Sequence, residues 1–223
     1  MSSYRPICDT WILARPKVAY YGAYPNGFLE RARNLLGVGL EDTLLHVCSG
    51  KVREYPIYGG FGPNDVTMDL DQDLEPDIVH DAREPFPSMK RSQGVMEITH
   101  GFGPVDMPWP AILIDPPYEP VHADHYKPGR LALPSANLLL KNGLNAVRPG
   151  GRVGVLHYIW PSPPKDLLVR LVATITVLMG YNNRARIYSV YERKVVRNAG
   201  DKNFQDASSA AVRRNPPASG DAG

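Results

Sequence analysis

The sequence predicts an α/β fold with a largely parallel central sheet flanked by helices. Short apolar runs with the composition of buried strands alternate with longer segments whose apolar residues recur at helical spacing. Glycine and proline, with 20 and 22 residues, punctuate the chain between these segments. Strands that read as continuous apolar runs and alternate with helices are typical of parallel sheets covered on both faces.

Six segments have the composition of strands. They are Thr43 to Cys48, Asp65 to Met68, Asp77 to Val79, Ala111 to Ile114, Arg152 to His157 and Arg184 to Glu192. Three segments have the apolar spacing of helices, namely Gly27 to Leu36, Pro134 to Val147 and Pro164 to Met179. Pro134 and Pro164 suit the first turn of a helix, where the missing N–H costs nothing. Gly150 and Gly151 are expected to close the turn into the strand that follows.

Length and composition predict one domain. The chain has 223 residues, of which 43% are hydrophobic and 22% charged, as in ordinary globular proteins. We expect a single domain over residues 1–197. Residues 198–223 have almost no large apolar side chains and are expected to form a disordered tail.

Several function classes are disfavoured by composition. No apolar run approaches the ~20 residues of a membrane helix, and the N-terminus lacks a signal-peptide pattern, so a cytoplasmic protein without membrane contact is expected. The two cysteines and six scattered histidines form no metal-binding pattern. His122 and His125 are best explained as surface-loop residues, since prolines flank them. The net charge of +2 gives only weak support for a nucleic-acid partner.

In parallel sheets, ligands bind beyond the carboxyl ends of the strands, so the residues after each strand are of interest. Cys48-Ser49-Gly50 follows the first predicted strand, and its small residues permit close approach of a ligand. Asp69 follows the second and suits a ribose diol, although Asp71 and Asp73 are nearby alternatives and a solvated acidic loop explains all three equally well. Asp81-Ala82 follows the third, where an acid can accept from an adenine amino group.

Asp115-Pro116-Pro117-Tyr118 follows the fourth predicted strand and is the most specific signal in the chain. Two consecutive prolines fix φ and restrict the residues before them, so Asp115 leaves the strand on a stiff path. An aryl amine that donates to the Asp115 carboxylate and to the Pro116 carbonyl has its lone pair directed at an electrophile. Tyr118 stacked on the base adds about 1–3 kcal/mol. A rigid turn that caps the next segment is the competing interpretation.

Together these strand ends resemble the class I S-adenosylmethionine-dependent methyltransferases. The closest resemblance is to the DNA amino-methyltransferases with a [DNS]PP[YFW] motif, in which DPPY is typical of adenine methylation. The resemblance spans about Tyr21 to Glu192. It implies a Rossmann-like methyltransferase fold, S-adenosylmethionine as cofactor, and a nucleic-acid partner, with adenine in DNA favoured and a short or low sequence specificity.

The resemblance also assigns cofactor positions. Leu44 to Gly50 is similar to the first cofactor motif, with the usual glycine-rich run reduced to His46 to Gly50. This assigns Cys48, Ser49 and Gly50 to the cofactor. Asp69 resembles the ribose-binding acid, and Asp81-Ala82 resembles the pair beside the cofactor adenine. Tyr24-Pro25 resembles the segment that closes over the methionine end, and Asp115 adjoins the same site. Arg148 to Gly151 resembles an RPGG turn.

The chain departs from this family in two ways. The inserts Glu119 to Leu133 and Pro85 to Pro110 are both too small for a recognition domain, although the second has the composition of a hairpin. The family fold ends in an antiparallel hairpin, of which the sequence offers only the strand Arg184 to Glu192.

Substrate contacts are expected beside the reactive loop. Basic and aromatic residues that suit a phosphate backbone and an unstacked base are Tyr118, His125, Tyr126, Lys127, Arg130 and Tyr158. A solvated loop explains the residues of the insert equally well. Trp160 is a further candidate, with core packing slightly preferred. Lys90, Arg91, Arg184 and Arg186 add positive charge, which a solvated face also explains.

Three functional alternatives stay open. A methyltransferase that acts on RNA, a nucleotide or a protein amide would use the same loop. A partner subunit that retains the fold without catalysis is a second alternative, and the intact DPPY speaks against it. A nicotinamide dehydrogenase is disfavoured because the chain lacks a full GxGxxG after the first predicted strand.

Overall fold

The computed structural model describes residues 4–17, 23–54, 59–92, 95–99, 108–118, 133–180 and 184–195. These residues form ten strands and two α-helices, with short 3₁₀ turns at Val52–Glu54 and Gln72–Leu74. In chain order the elements are β1 (Ile7–Leu13), α1 (Phe28–Leu36), β2 (Leu45–Val47), β3 (Val66–Asp69), β4 (Ile78–Val79), β5 (Ser88–Ser92), β6 (Val95–Thr99), β7 (Trp109–Ile114), α2 (Ala136–Ala146), β8 (Val147–His157), β9 (Val169–Met179) and β10 (Arg186–Arg193).

Eight strands form one sheet in the order β1-β9-β10-β8-β7-β2-β3-β4. Strand β10 runs antiparallel to both β8 and β9, and all other neighbours are parallel. The chain order reverses between β2 and β7, which creates the crevice where ligands bind in open α/β sheets. This arrangement is a Rossmann-like α/β fold with a largely parallel sheet flanked by helices, as the sequence predicted. Strand β1 adds a parallel edge beside the terminal hairpin.

The two helices cover opposite faces of the sheet. Along β7, Ala111 and Leu113 join the core under α1, whereas Ile112 and Ile114 join the core under α2. This alternation follows from the two-residue period of a strand, because successive side chains point to opposite faces. The largest fully buried side chains are drawn from both cores and include Trp109, Tyr188, Tyr191, Phe28 and Leu29.

Both predicted helices in the first two-thirds of the chain are confirmed. Helix α1 begins and ends at glycines with left-handed backbone, Gly27 and Gly37, each at φ 73°. Helix α2 begins after Ser135, whose side chain accepts a hydrogen bond from the Leu138 N–H at 3.2 Å. The Arg148 to Gly151 segment lies within β8, so this strand begins earlier than predicted and the expected turn at Gly150 and Gly151 is part of it. The pairing of β8 with β7 is irregular between Trp109 and Ala111.

The predicted helix Pro164 to Met179 is wrong, because residues 169–179 form strand β9. Its apolar residues recur at helical spacing, but Thr174 to Val177 are all β-branched, and such side chains favour an extended backbone. Strand β9 pairs with β10 and also with β1, which the sequence did not predict as a strand. The terminal antiparallel hairpin is therefore complete.

The Pro85 to Pro110 insert contains the antiparallel hairpin β5–β6, which forms a small second sheet. The predicted tail, residues 198–223, lies outside the described residues, and the single-domain boundary stays a prediction. Neither helix in the described ranges has the length and apolar composition that crossing a bilayer requires.

Candidate functional site

Four strand ends predicted from the sequence meet at one edge of the sheet. Strand β2 lies between β3 and β7, so the loops after these strands are neighbours. Backbone hydrogen bonds join them: the Asp115 N–H donates to the Val47 carbonyl at 3.2 Å, and the Ser49 N–H donates to the Met68 carbonyl at 3.2 Å. The loop after β4 is joined to β3 by a 2.8 Å bond from the His80 N–H to the Asp69 carbonyl.

The loop after β2 has an unusual backbone. Cys48 adopts a left-handed conformation at φ 55°, which is uncommon for a residue with a side chain, and Gly50 has φ 51°. The Gly50 N–H donates to the Asp69 carboxylate at 2.9 Å. The Ser49 hydroxyl is buried and has no hydrogen-bond partner among the described residues.

Of the three candidate acids at the end of β3, Asp69 is the one whose side chain contacts this loop. Its carboxylate accepts from Gly50 and, at 3.1 Å, from the Asp71 N–H. Burial raises the pKa of Asp69, and these backbone hydrogen bonds oppose the rise. The Asp71 side chain instead caps the following 3₁₀ turn, where it accepts from the Asp73 N–H at 3.0 Å.

The loop after β4 presents Asp81 and Ala82. The Arg83 side chain and N–H donate to the Asp81 carboxylate and hold its pKa below the usual range. Ala82 is buried, and its carbonyl accepts from the Asn142 side chain of α2 at 3.1 Å. Helix α2 therefore holds this loop against the sheet.

Cys48 marks the centre at which these loops converge. Burial raises the pKa of its thiol, and the nearby carboxylates of Asp69, Asp115 and Asp81 raise it further. Carboxylates from three different strand ends therefore lie near the Cys48 thiol. The structure brings together the predicted positions after β2, β3, β4 and β7 at one site.

The reactive loop Asp115 to Tyr118 lies at the end of β7. Asp115 is half-buried and Pro116 is buried. The Tyr118 hydroxyl donates to the Asp115 carboxylate. Burial raises the pKa of Asp115 to about 6, while the charge of Arg186 and the hydrogen bond from Tyr118 act to lower it. At neutral pH the carboxyl is therefore mostly ionised and able to accept hydrogen bonds.

Aromatic side chains surround Tyr118. Its ring centroid lies 5.3 Å from that of His157, edge to face, and 4.6 Å from that of Tyr158. His157 ends β8, and its Nδ1 accepts from the Ile159 N–H at 2.9 Å. Burial lowers the pKa of His157, so the ring is neutral near pH 7. Tyr158 therefore contacts the reactive loop.

Tyr24 and Pro25 approach from the segment before α1. Tyr24 is buried and stacks on Phe28 at 5.0 Å between ring centroids. Burial raises the pKa of its phenol, and Asp115 and Tyr118 raise it further, so Tyr24 lies close to the reactive loop. The Pro25 carbonyl accepts a hydrogen bond from the N–H of Phe28, the first residue of α1, at 3.0 Å.

His157 is a site residue that the sequence did not indicate, and Arg186 was predicted only as added positive charge or as part of a solvated face. Arg186 is buried, with 8% of its surface exposed, so the solvated-face interpretation of this residue is wrong. Its Nη1 lies 3.4 Å from the Tyr118 hydroxyl. Because β10 is antiparallel, its first residue lies at the carboxyl edge of the parallel strands, and Ile187 pairs with His157. Local sequence patterns do not reveal that β10 runs antiparallel to β8, and this direction is what brings Arg186 to the site.

The remaining substrate candidates have different outcomes. His125, Tyr126, Lys127 and Arg130 lie outside the described residues. Core packing of Trp160 is wrong, because 53% of its surface is exposed. Its indole N–H donates to the Tyr191 hydroxyl at 2.7 Å. The ring is therefore held at the margin of the core and is not buried in it.

Comparison with known proteins gave structural likenesses only. No protein-family profile and no curated protein sequence matches the chain. TrmN from Thermus thermophilus is similar at TM-score 0.46 and 17% identity, over 78% of this chain and 51% of that one. An rRNA methylase from Streptococcus thermophilus is similar at 0.40 and 10%, over 78% and 100%. The T. thermophilus 16S rRNA N2 methyltransferase RsmC, solved with AdoMet and guanosine, is similar at 0.41 and 14%, over 81% and 46%. The chain spans about half the length of TrmN.

Proposed function

We propose that this protein is an S-adenosylmethionine-dependent methyltransferase that methylates an exocyclic amino group, with adenine in DNA as the substrate. One observation carries the proposal. Asp115 holds a half-buried carboxylate at the end of β7, beside a left-handed loop whose Ser49 hydroxyl lacks a partner among the described residues. A hydrogen-bond acceptor and a candidate cofactor loop are thus adjacent.

The residues around the β2 loop suit the cofactor. Asp69 supplies carboxylate oxygens for the ribose hydroxyls, Gly50 permits close backbone approach, and Ser49 offers its unpaired hydroxyl. Asp81 and Ala82 are proposed to lie beside the adenine ring, and Tyr24 with Pro25 beside the methionine end. When bound, S-adenosylmethionine supplies an electrophilic sulfonium methyl group.

Asp115 and Pro116 orient the amino group in this proposal. The two N–H groups of the substrate donate to the Asp115 carboxylate and to the Pro116 carbonyl, so that the nitrogen lone pair faces the methyl group. The nitrogen would form the new N–C bond as the sulfur–methyl bond of the cofactor breaks, with the neutral thioether as the leaving group. It would then lose one proton, which the Asp115 carboxylate can accept. Orientation supplies most of the rate gain, because it converts an encounter into a near-unimolecular step.

The DPPY resemblance favours adenine and DNA. Tyr118 and Tyr158 provide aromatic surface for an unstacked base. We propose His125, Tyr126, Lys127 and Arg130 as contacts to the phosphate backbone, on the basis of their position after the reactive loop. RNA, a free nucleotide or a protein amide would present a similar nitrogen to the same loop, so the substrate arms of the experiment decide among them.

The test is transfer of labelled methyl from S-adenosylmethionine to unmethylated DNA of varied sequence, to RNA and to nucleotides in parallel. Wild-type protein should label DNA at N6 of adenine, and Asp115→Ala should reduce labelling by at least about 10²-fold. Asp9→Ala, at an exposed aspartate on β1, is the matched control and should keep full activity.

Calorimetry with S-adenosylmethionine separates the failures. Cofactor binding without labelling of DNA, but with labelled RNA or nucleotide, contradicts the proposed substrate. The absence of binding at millimolar cofactor contradicts the enzyme class and favours a partner subunit.

A further inference from the structure

We propose that Arg186 and Tyr118 are positioning residues for Asp115. The Arg186 guanidinium donates to the Tyr118 hydroxyl, which in turn donates to one oxygen of the Asp115 carboxylate and leaves the other for the substrate amino group. The functional part of this inference rests on the proposed function. The hydrogen-bonded unit itself can be tested without substrate or cofactor.

Arg186 is a buried cation with few local partners. Its Nη1 lies 3.4 Å from the Tyr118 hydroxyl, and its Nη2 lies 3.5 Å from the Met179 sulfur. In the part of the chain that the structure describes, no carboxylate lies within ion-pair distance of it. A buried guanidinium is costly unless charge compensates it. The Asp115 carboxylate, on the far side of the Tyr118 hydroxyl, is the compensating charge.

Tyr118 is held so that its hydroxyl, rather than its ring face, serves Asp115. The ring of Tyr118 meets His157 edge to face at 85° and lies tilted at 45° against Tyr158. A phenol hydroxyl can donate one hydrogen bond and accept others. Tyr118 uses both capacities, since it accepts from Arg186 and donates to Asp115. Burial raises the pKa of this phenol well above its usual value, so the donor proton is retained.

This role differs from the base-stacking role that the motif suggests for Tyr118. Among the residues that the structure describes, the titratable groups that face Asp115 are Tyr24 from the segment before α1, Cys48 from the β2 loop, Tyr118 from its own loop and Arg186 from β10. Of these, only Arg186 and Tyr118 lower the pKa of Asp115 against the effect of burial. The pair therefore keeps the carboxylate ionised and fixes its orientation.

The experiment is a pH titration of the Asp115 carboxyl by ¹³C NMR on full-length protein with labelled aspartate, without cofactor or substrate. Asp115→Asn identifies the resonance. The wild-type pKa is expected at about 6. Tyr118→Phe keeps the ring and removes the hydroxyl, and Arg186→Met removes the charge. Each should raise the pKa by roughly one unit, and the double variant should raise it by less than the sum because the two groups act as one unit.

Two further variants serve as controls. Arg184→Met removes an exposed cation that lies over the Tyr158 ring, and it should shift the pKa of Asp115 far less than Arg186→Met. Arg186→Lys keeps the charge and should give a smaller rise, which also covers the case in which Arg186→Met does not fold. An unchanged pKa in Tyr118→Phe, or equal shifts from Arg184→Met and Arg186→Met, overturns the inference.

Kinetics give the second readout. If the enzyme methylates DNA, the acid limb of kcat/KM should move upward in Tyr118→Phe and Arg186→Met by the same amount as the NMR pKa. If Tyr118 acted only by stacking on the base, the acid limb of kcat/KM in Tyr118→Phe would stay at its wild-type pH. Shifted NMR values together with a wild-type protein that methylates nothing would contradict the proposed function and leave the hydrogen-bonded unit standing.

Discussion

The ionised Asp115 carboxylate lowers the stability of the folded protein near neutral pH. Burial raises the pKa of its carboxyl to about 6, so the folded chain binds a proton there more tightly than the unfolded chain, whose aspartates titrate at about 3.9. The favourable contribution of this proton is complete below about pH 4 and is lost as the pH rises through about 6. At neutral pH the cost of burying this charge therefore exceeds the stabilisation that Arg186 and Tyr118 provide for it. Such a cost is common at active sites.

Replacement of this charge should stabilise the protein. Asp115→Asn resembles the protonated carboxyl in shape, so it should leave the free energy of unfolding almost unchanged at pH 4. At pH 8 it should raise that free energy by up to about 2–3 kcal/mol. Urea denaturation at both pH values measures the difference. Asp9→Asn, at an exposed site, should show no such dependence on pH, and a variant at Asp115 that is less stable than wild type at pH 8 would contradict the argument.

At the scale of the element, local patterns of apolar residues predicted α1 and α2 correctly. They failed for β9, because helical spacing of apolar residues and β-branched composition conflict in the same segment. Strand β1 was missed for a different reason. Its first four residues are exposed, and it is a strand because it pairs with β9, whose residue Ala173 is the partner of Ile7. Such distant pairing leaves no periodic signal.

One buried carboxylate joins α1, β2 and β3 at the edge of the sheet opposite the site. Asp65 accepts from the Arg33 guanidinium at 2.7 and 2.8 Å and from the His46 ring at 3.0 Å. It also accepts from the backbone N–H groups of Gly62 and Leu44. Burial alone would raise the pKa of Asp65, but the hydrogen bonds from His46 and Arg33 bring it below the usual value.

Disruption of this network should be expensive. Asp65→Asn leaves Arg33 buried without its counter-charge and should lower the free energy of unfolding by about 3–5 kcal/mol at pH 7. Because the folded-state pKa is lowered, the advantage of wild type should persist above about pH 4 and shrink as the pH falls further. The exposed pair Lys51–Glu54 provides the control, and Glu54→Gln should change stability by less than about 0.5 kcal/mol. Equal effects in urea denaturation would rule out a structural role for the network.

At the scale of the whole molecule, the site divides into a part that the sequence reveals and a part that it does not. Asp69 ends β3, Asp81 lies two residues after β4 and Asp115 directly follows β7. A local pattern and the rule for parallel sheets therefore predict that these three acids meet. Arg186 reaches the same edge only because β10 is antiparallel and inserted between β8 and β9. Strand order is a property of the complete sheet, and a stretch of sequence does not encode it locally.

The edge strand β1 tests whether the sheet unfolds as one unit. Trp11 is 8% exposed and packs against Phe28 of α1 and Tyr188 of β10, with ring centroids 6.2 and 6.1 Å away. Trp11→Ala should lower the free energy of unfolding by about 3–5 kcal/mol. The next residue, Ile12, points to the other face and is 77% exposed, so Ile12→Ala should cost less than about 1 kcal/mol.

Urea denaturation followed by far-ultraviolet circular dichroism measures both variants of β1. A single transition that moves to lower urea only in Trp11→Ala is expected, since α1, β1 and β10 share one core. If the two variants instead unfold at the same midpoint, β1 separates from the sheet before the rest unfolds. In that case β1 would not belong to the part of the protein that unfolds cooperatively. That part would begin at α1 and would include Arg186.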